Sequence, residues 1–245
     1  MKTHRFGLFL GAVLAALFVA FWIWQTAGNH QKLSPAEVDA YLHKLEGKLP
    51  GNPAEQAMFL TRTRAFGLAD DGRPVYMLNA MRYYPELKRG PGMEDVRGTP
   101  AEANATYEKA MMPILFRLGA YPLFGGETME IRADGKAHSN LDGFDPAIDD
   151  WSRILVVRYP SRRAFFDLLT DPQWLKFAPY KLAALEIALV PASGQVVIPD
   201  LRWVVGGACL IVFLAACWLR AARRHRNSLM SLPRNAALAY LLLVK

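Results

Sequence analysis

The sequence predicts an α+β fold: a four-stranded antiparallel sheet of the split βαβ kind, preceded by a helical pair and flanked by two transmembrane helices. Three observations carry this. Two long apolar runs, Phe6 to Trp24 and Trp203 to Leu219, stand near the ends of the chain. Between them, apolar runs of strand length alternate with capped amphipathic stretches, in the order strand, helix, strand, strand, helix, strand. The ends also carry bases without acids, whereas the middle carries both.

Phe6 to Trp24 is 19 residues without a charge. As a helix it covers about 28 Å, close to a hydrocarbon core of about 30 Å. Trp22 and Trp24 sit at its end, where an aromatic belt belongs. Trp203 to Leu219 lies between Arg202 and Arg220 and covers about 26 Å. A cleaved signal peptide is the alternative for the first run, with Met1 to Arg5 as its basic start. Its apolar core exceeds the usual length of about 7–15 residues, and no clean small-x-small site follows. Gly7, Gly11 and Ala15 form a row of small residues on which helices could approach closely.

The chain has 245 residues, with 29 Lys and Arg against 22 Asp and Glu. Lys2, Arg5, Arg220, Arg223, Arg224, Arg226, Arg234 and Lys245 lie at the two ends, and every acid lies between the runs. This asymmetry places both termini in the cytoplasm and the middle outside it, in a bacterial inner membrane. The basic balance is therefore a topology and lipid-headgroup signal, and nucleic acid is excluded as a partner. Cys209 and Cys217 both fall in the second run, so the outer part has no disulfide and no thiolate metal site. The tail Asn235 to Val244 is apolar but too short to span. The expected organisation is a first anchor over 1–24, a helical pair over 25–69 and the sheet domain over 70–193. A linker with the second anchor over 194–219 and a basic cytoplasmic tail over 220–245 complete it.

Three helix starts repeat one pattern: Ser34-Pro35-Ala36-Glu37, Asn52-Pro53-Ala54-Glu55 and Thr99-Pro100-Ala101-Glu102. A cap oxygen accepts from first-turn amides, proline fits the first helical position, and the glutamate reaches back to the cap amide. The first helix places Val38, Tyr41, Leu42 and Leu45 on one stripe and stops at Gly47; the second ends near Gly67. Asp70 to Pro74 is a turn, and Val75 to Arg82 a strand. The helix from Thr99 runs to about Leu118, with Pro113 kinking it and Gly119 closing it. Tyr121 to Met129 is a second strand, with Gly125-Gly126 read as a bulge. Asp134-Gly135 marks a turn, and Trp151 to Tyr159 is a third strand, apolar on both faces. Ser161 caps a helix, Asp171-Pro172 starts another through about Ala184, and Glu186 to Val190 is the last strand. This order is ferredoxin-like, and it leaves one sheet face for something other than helices to cover.

Asp70 to Asn79, Tyr107 with Pro113 and Gly119, Trp151 through Arg162, and Ala183 to Glu186 resemble a family of small uncharacterised proteins. That family belongs to the dimeric α/β-barrel superfamily, beside cofactor-free monooxygenases, muconolactone isomerases and chlorite dismutases. The resemblance spans roughly Asp70 to Ser193 and rests on structural motifs. It implies a homodimer in which two sheets pack face to face. Tyr180 and Lys181 stand where such proteins carry His and Arg.

Catalytic motifs are scarce: no phosphate-binding loop, no G-x-S-x-G elbow and no H-E-x-x-H occur. His30, His43 and His138 are scattered and read as surface residues. No cofactor and no metal site is expected. Asn79, on the face of Met77 and Met81, Arg82 on the opposite face, and Arg158, on the face of Ile154 and Val156, are the candidates for holding a small polar group. Asp149-Asp150 reads as a solvated loop. The function expected is a membrane-anchored small-ligand-binding or assembly module. The alternative is an enzyme like the cofactor-free monooxygenases or isomerases.

Overall fold

The structure, a computed structural model, describes residues 2–26, 31–133, 135–143, 145–194 and 201–230. Ala16–Gly194 forms one compact unit and the flanking segments a second. Helix α1 (Lys2–Gln25) carries the first apolar run. Several side chains of both apolar runs, those at 6–8, 10, 11, 14 and 203–206 among them, lie outside the described residues, as do His30 and the 235–244 tail. Among the described residues no helix is long and apolar enough to cross a membrane, so the two expected spans find no support there.

All three capping boxes form. Helix α2 (Pro35–Leu45) starts at Ser34, whose side chain accepts from the Glu37 amide while Glu37 accepts from the Ser34 amide at 2.8 Å. Helix α3 (Pro53–Leu68) repeats this with Asn52 and Glu55. Strand β1 (Val75–Tyr83) follows, with Val75, Met77, Asn79 and Met81 buried in alternation. Helix α4 (Pro100–Arg117) starts from the Thr99–Glu102 box and continues through Pro113. Gly119, at φ +71°, closes it in the left-handed region; a Cβ there would also lie 2.5 Å from the Trp24 carbonyl oxygen. Trp24 docks at this corner, its indole N–H donating to the Phe116 carbonyl and its ring stacked on Phe116 and Tyr121.

Strand β2 (Tyr121–Glu127) pairs with the later strand β5 (Arg153–Tyr159), and its register shifts between Pro122 and Phe124. The bulge expected at Gly125-Gly126 therefore lies at Leu123; both glycines stay in register, opposite Leu155 and Ile154. A short ribbon, β3 (Ile131–Ala133) with β4 (Lys136–His138), was not expected as strands, although its turn was. After a 3-10 turn come β5 (Arg153–Tyr159), α5 (Arg162–Leu169), α6 (Pro172–Ala184) and β6 (Leu185–Ala192). Helix α7 (Leu201–Met230) carries the second apolar run.

The main sheet has the order β2-β5-β1-β6, antiparallel throughout. Leaving aside the ribbon, this is the ferredoxin-like order, with the first and third strands central as the split βαβ pattern requires. One face carries Met77, Val157 and Tyr159 and packs against α4, α5 and α6. Helices α2 and α3 extend this side: Val38, Leu42 and Leu45 join the same core as Phe165 and Phe166. They do not fold across the opposite face. That face, with Leu78, Ile154 and Val156 at its centre, keeps Phe124 and Val190 well exposed.

Asp149 is a further correction. Its carboxylate is only 15% exposed, not a solvated loop residue. It accepts from the amides of Ser139, Asn140 and Asp150 and pairs with His138 Nδ1 at 2.8 Å, tying the loop to the ribbon. These bonds, His138 first, hold it well below the usual carboxylate range.

Candidate functional site

Between the sheet and its helices lies a cavity of about 1120 Å³, partly open to solvent. Strand alternation puts Met77 and Asn79 of β1, and Leu155, Val157 and Tyr159 of β5, on its floor. Helix α4 brings Tyr107, Glu108 and Met111 over them. Helix α6 brings Trp174, Ala178 and Lys181, spaced to share one helical face. The lining is mainly apolar and aromatic, with few polar groups, as small-molecule sites are built.

Lys181 is the polar centre. Its Nζ donates to Asn79 Oδ1 across 2.8 Å. The Asn79 amide is oriented by its own NH₂, which faces the carbonyls of Met77 at 3.2 Å and Leu155 at 3.4 Å. The ammonium also lies 5.4 Å from the centre of the Tyr107 ring. Lys181 lines the cavity and is half-buried. Burial disfavours the charged form and brings its pKa down to about 8, opposed in part by Glu108. Glu108 is itself engaged, by Arg153 at 3.1 Å and by the Asn104 amide at 3.1 Å. Burial pushes the Tyr107 and Tyr159 phenols up, so both stay neutral; a hydrogen bond from Trp174 opposes this at Tyr107. Arg153 also lines the cavity, and its buried Nε has no hydrogen-bond partner among the described residues.

The three sequence candidates are not brought together. Asn79, 4% exposed, enters this cavity. Arg82 and Arg158 stand on the opposite sheet face, near its two ends. Arg82 donates to the carbonyls of Asp149 and Asp150 at 2.6 and 3.1 Å and lies over the Trp151 ring. Arg158 is taken by the Gln25 side chain and carbonyl at 3.1 and 3.2 Å and lies over Tyr121. Both are satisfied within the chain. Sequence reasoning noted Lys181 only as standing where the resembled proteins carry His or Arg, and did not name it, Glu108 or Arg153 as a candidate for holding a ligand. Its available signal was the stripe Trp174, Ala178, Lys181, Leu185, in which a lone lysine interrupts an apolar helix face. Among the described residues no cluster of three His, Cys, Asp or Glu side chains is placed to hold a metal ion.

Sheet order and cavity together define a ferredoxin-like α+β domain with a ligand-sized internal site. Two solved structures of RPA0582, a protein of unknown function from Rhodopseudomonas palustris, are similar to this chain. They share 25% and 26% identity over 61% and 60% of this chain and 96% and 93% of theirs, with TM-scores of 0.43 and 0.44. SnoaB, a cofactor-independent oxygenase from Streptomyces nogalater, is similar at 15% identity over 52% of this chain and 99% of its own, with a TM-score of 0.32. No family model and no curated protein matches the sequence.

Proposed function

We propose that the chain is a membrane-anchored small-ligand-binding protein whose ligand occupies the cavity between the sheet and α4 and α6. The observation that carries this reading is the cavity of about 1120 Å³ with the Lys181–Asn79 pair set into a mainly apolar lining. Anchoring in a bacterial inner membrane, with this domain outside the cytoplasm, rests on the two uncharged runs and the bases confined to the ends. The described large side chains of α1 and α7, Phe18, Ile23, Phe213 and Trp218 among them, are exposed and apolar, as lipid contact requires. A homodimer through this sheet face, whose centre no helix covers among the described residues, is part of the same proposal, supported by the exposed Phe124 and Val190 beside Ile154 and Val156. One observation favours an enzymatic reading, a cofactor-free oxygenase or isomerase: an amine with a pKa of about 8 is placed to exchange a proton near neutral pH.

The test uses the full chain in phosphatidylcholine nanodiscs, titrated with naphthalene-ring probes. The expected result is saturable binding of one probe per chain, with quenching of Trp174, abolished when Ala178→Phe fills the cavity in a variant of unchanged circular dichroism. Absence of saturable binding by every probe overturns the reading. Resistance of the chain to carbonate extraction from membranes checks the anchor separately.

A further inference from the structure

We propose that the ligand of this cavity is an organic acid: an apolar, ring-sized body carrying one carboxylate, which the Lys181 ammonium, positioned by the Asn79 amide oxygen, receives. This rests on the ligand-binding reading and adds the chemical class.

The argument starts from unspent donors. An ammonium has three N–H bonds and accepts nothing. One goes to Asn79 Oδ1, and among the described residues no other hydrogen bond and no ion pair is made by Lys181. A lysine this enclosed without a counter-charge is rare, because a buried charge is costly unless paired. The groups facing it do not supply the charge. From α4, Glu108 offsets the cost only in part and makes no ion pair with Lys181, being engaged by Arg153 and Asn104, and Tyr107 is a neutral phenol. From β5 come Arg153, a cation, and Tyr159, a neutral phenol. From β1 comes an amide, Asn79. At the rim, Glu55 is taken by Lys88 and Glu186 by Arg82.

The missing negative charge is thus what the lining lacks and what a ligand can bring. Arg153 Nε is a second buried donor without a partner among the described residues, although the Arg153 charge itself is paired with Glu108. The aromatic and thioether walls then favour an apolar remainder over a sugar or a nucleotide. At neutral pH the amine, with its pKa near 8, is mostly protonated, and a bound carboxylate brings that pKa back up.

The experiment compares 2-naphthoate with 2-naphthamide, an uncharged molecule of nearly the same shape, on the full chain in phosphatidylcholine nanodiscs by equilibrium dialysis. Naphthoate should bind at least about ten-fold more tightly, the increment of one charge-assisted hydrogen bond. Lys181→Met should remove that preference while leaving naphthamide binding in place. Asn79→Asp, which puts a carboxylate beside the amine, should remove it as well. Equal affinity for the two probes in the unaltered chain overturns the acid inference and leaves ligand binding standing, as does a preference that survives Lys181→Met. Failure of both probes to bind counts against the ligand-binding reading itself.

Discussion

Lys181 Nζ reaches Asn79 Oδ1 across 2.8 Å and so joins the last helix of the domain to its central strand inside the cavity. The pair is a cost to the fold as well as a link. The folded pKa of Lys181, about 8, lies below the unfolded value of about 10.4. A cation with a lowered folded pKa penalises folding wherever it is charged. The penalty is full below pH 8 and disappears as pH rises from 8 to about 10.4, because the unfolded chain then binds more protons. It amounts to about 3 kcal/mol. Lys181→Met should therefore be more stable than the unaltered chain at pH 7, and the advantage should shrink by pH 10. Denaturant unfolding at the two pH values, followed by tryptophan fluorescence, checks this; a variant that is less stable at pH 7 counts against it.

Gly67 lies in α3 where that helix crosses α2 and α5. A Cβ there would meet Phe166 Cζ at 2.7 Å and Val38 Cγ2 at 2.9 Å. Alanine would improve helix propensity by about 1 kcal/mol. Both neighbours are fully buried and cannot move aside. Overpacking of this kind costs about 1–3 kcal/mol and should win. Gly67→Ala is expected to lower the unfolding midpoint, while Gly47→Ala, with open space around its Cβ but a φ of +70°, reports backbone strain alone.

Glu37 closes the α2 capping box and also binds Arg163 of α5 at 2.7 Å. The Arg163 hydrogen bond, followed by those from Ser34, brings its pKa down to about 2. A carboxylate with a lowered folded pKa stabilises the fold above its unfolded pKa, near 4.3, and that contribution is lost as pH falls toward 2. Glu37→Gln should therefore remove part of the acid sensitivity of the α2–α5 contact. Hydrogen exchange of the α2 amides at pH 6 and pH 3 measures it: the unaltered chain should lose protection at pH 3, and the variant should change less.

The order of elements and the three helix starts were legible because capping boxes, turns and strand runs are local patterns. Strand parity was legible too, placing Asn79 and Arg82 on opposite faces. What parity does not reveal is which face holds the space. The cavity is made by residues far apart in the chain, Asn79 and Lys181 being 102 positions distant. Arg82 and Arg158 drew attention as charges on strands, but their partners, carbonyls at 149 and 150 and the Gln25 side chain, come from loops and helix ends that periodicity does not place. Lys181 was noted only as a residue standing where the resembled proteins carry His or Arg, and one charge on an apolar helix stripe does not reveal that it faces a cavity.

Val156 is the site at which to test the uncovered face. It lies on β5, next to Leu78 of β1 on one side and Phe124 of β2 on the other, with Val190 of β6 one strand further. Helices α2 and α3, the chain's own candidates for covering this face, pack instead with α5 on the far side of the sheet. A glutamate at the centre of a sheet-to-sheet contact would be buried opposite its symmetry mate. The charges would lose solvation and repel, a combination that association does not survive. On an uncovered face the same glutamate would remain in water and cost little. Val156→Glu should therefore convert a dimer into a folded monomer, measured by light scattering of the full chain in detergent with the detergent mass subtracted. The cavity faces the other way, so naphthoate binding should persist in the monomer. An unaltered chain that is already monomeric, or a dimer that tolerates Val156→Glu, removes the sheet face as the interface.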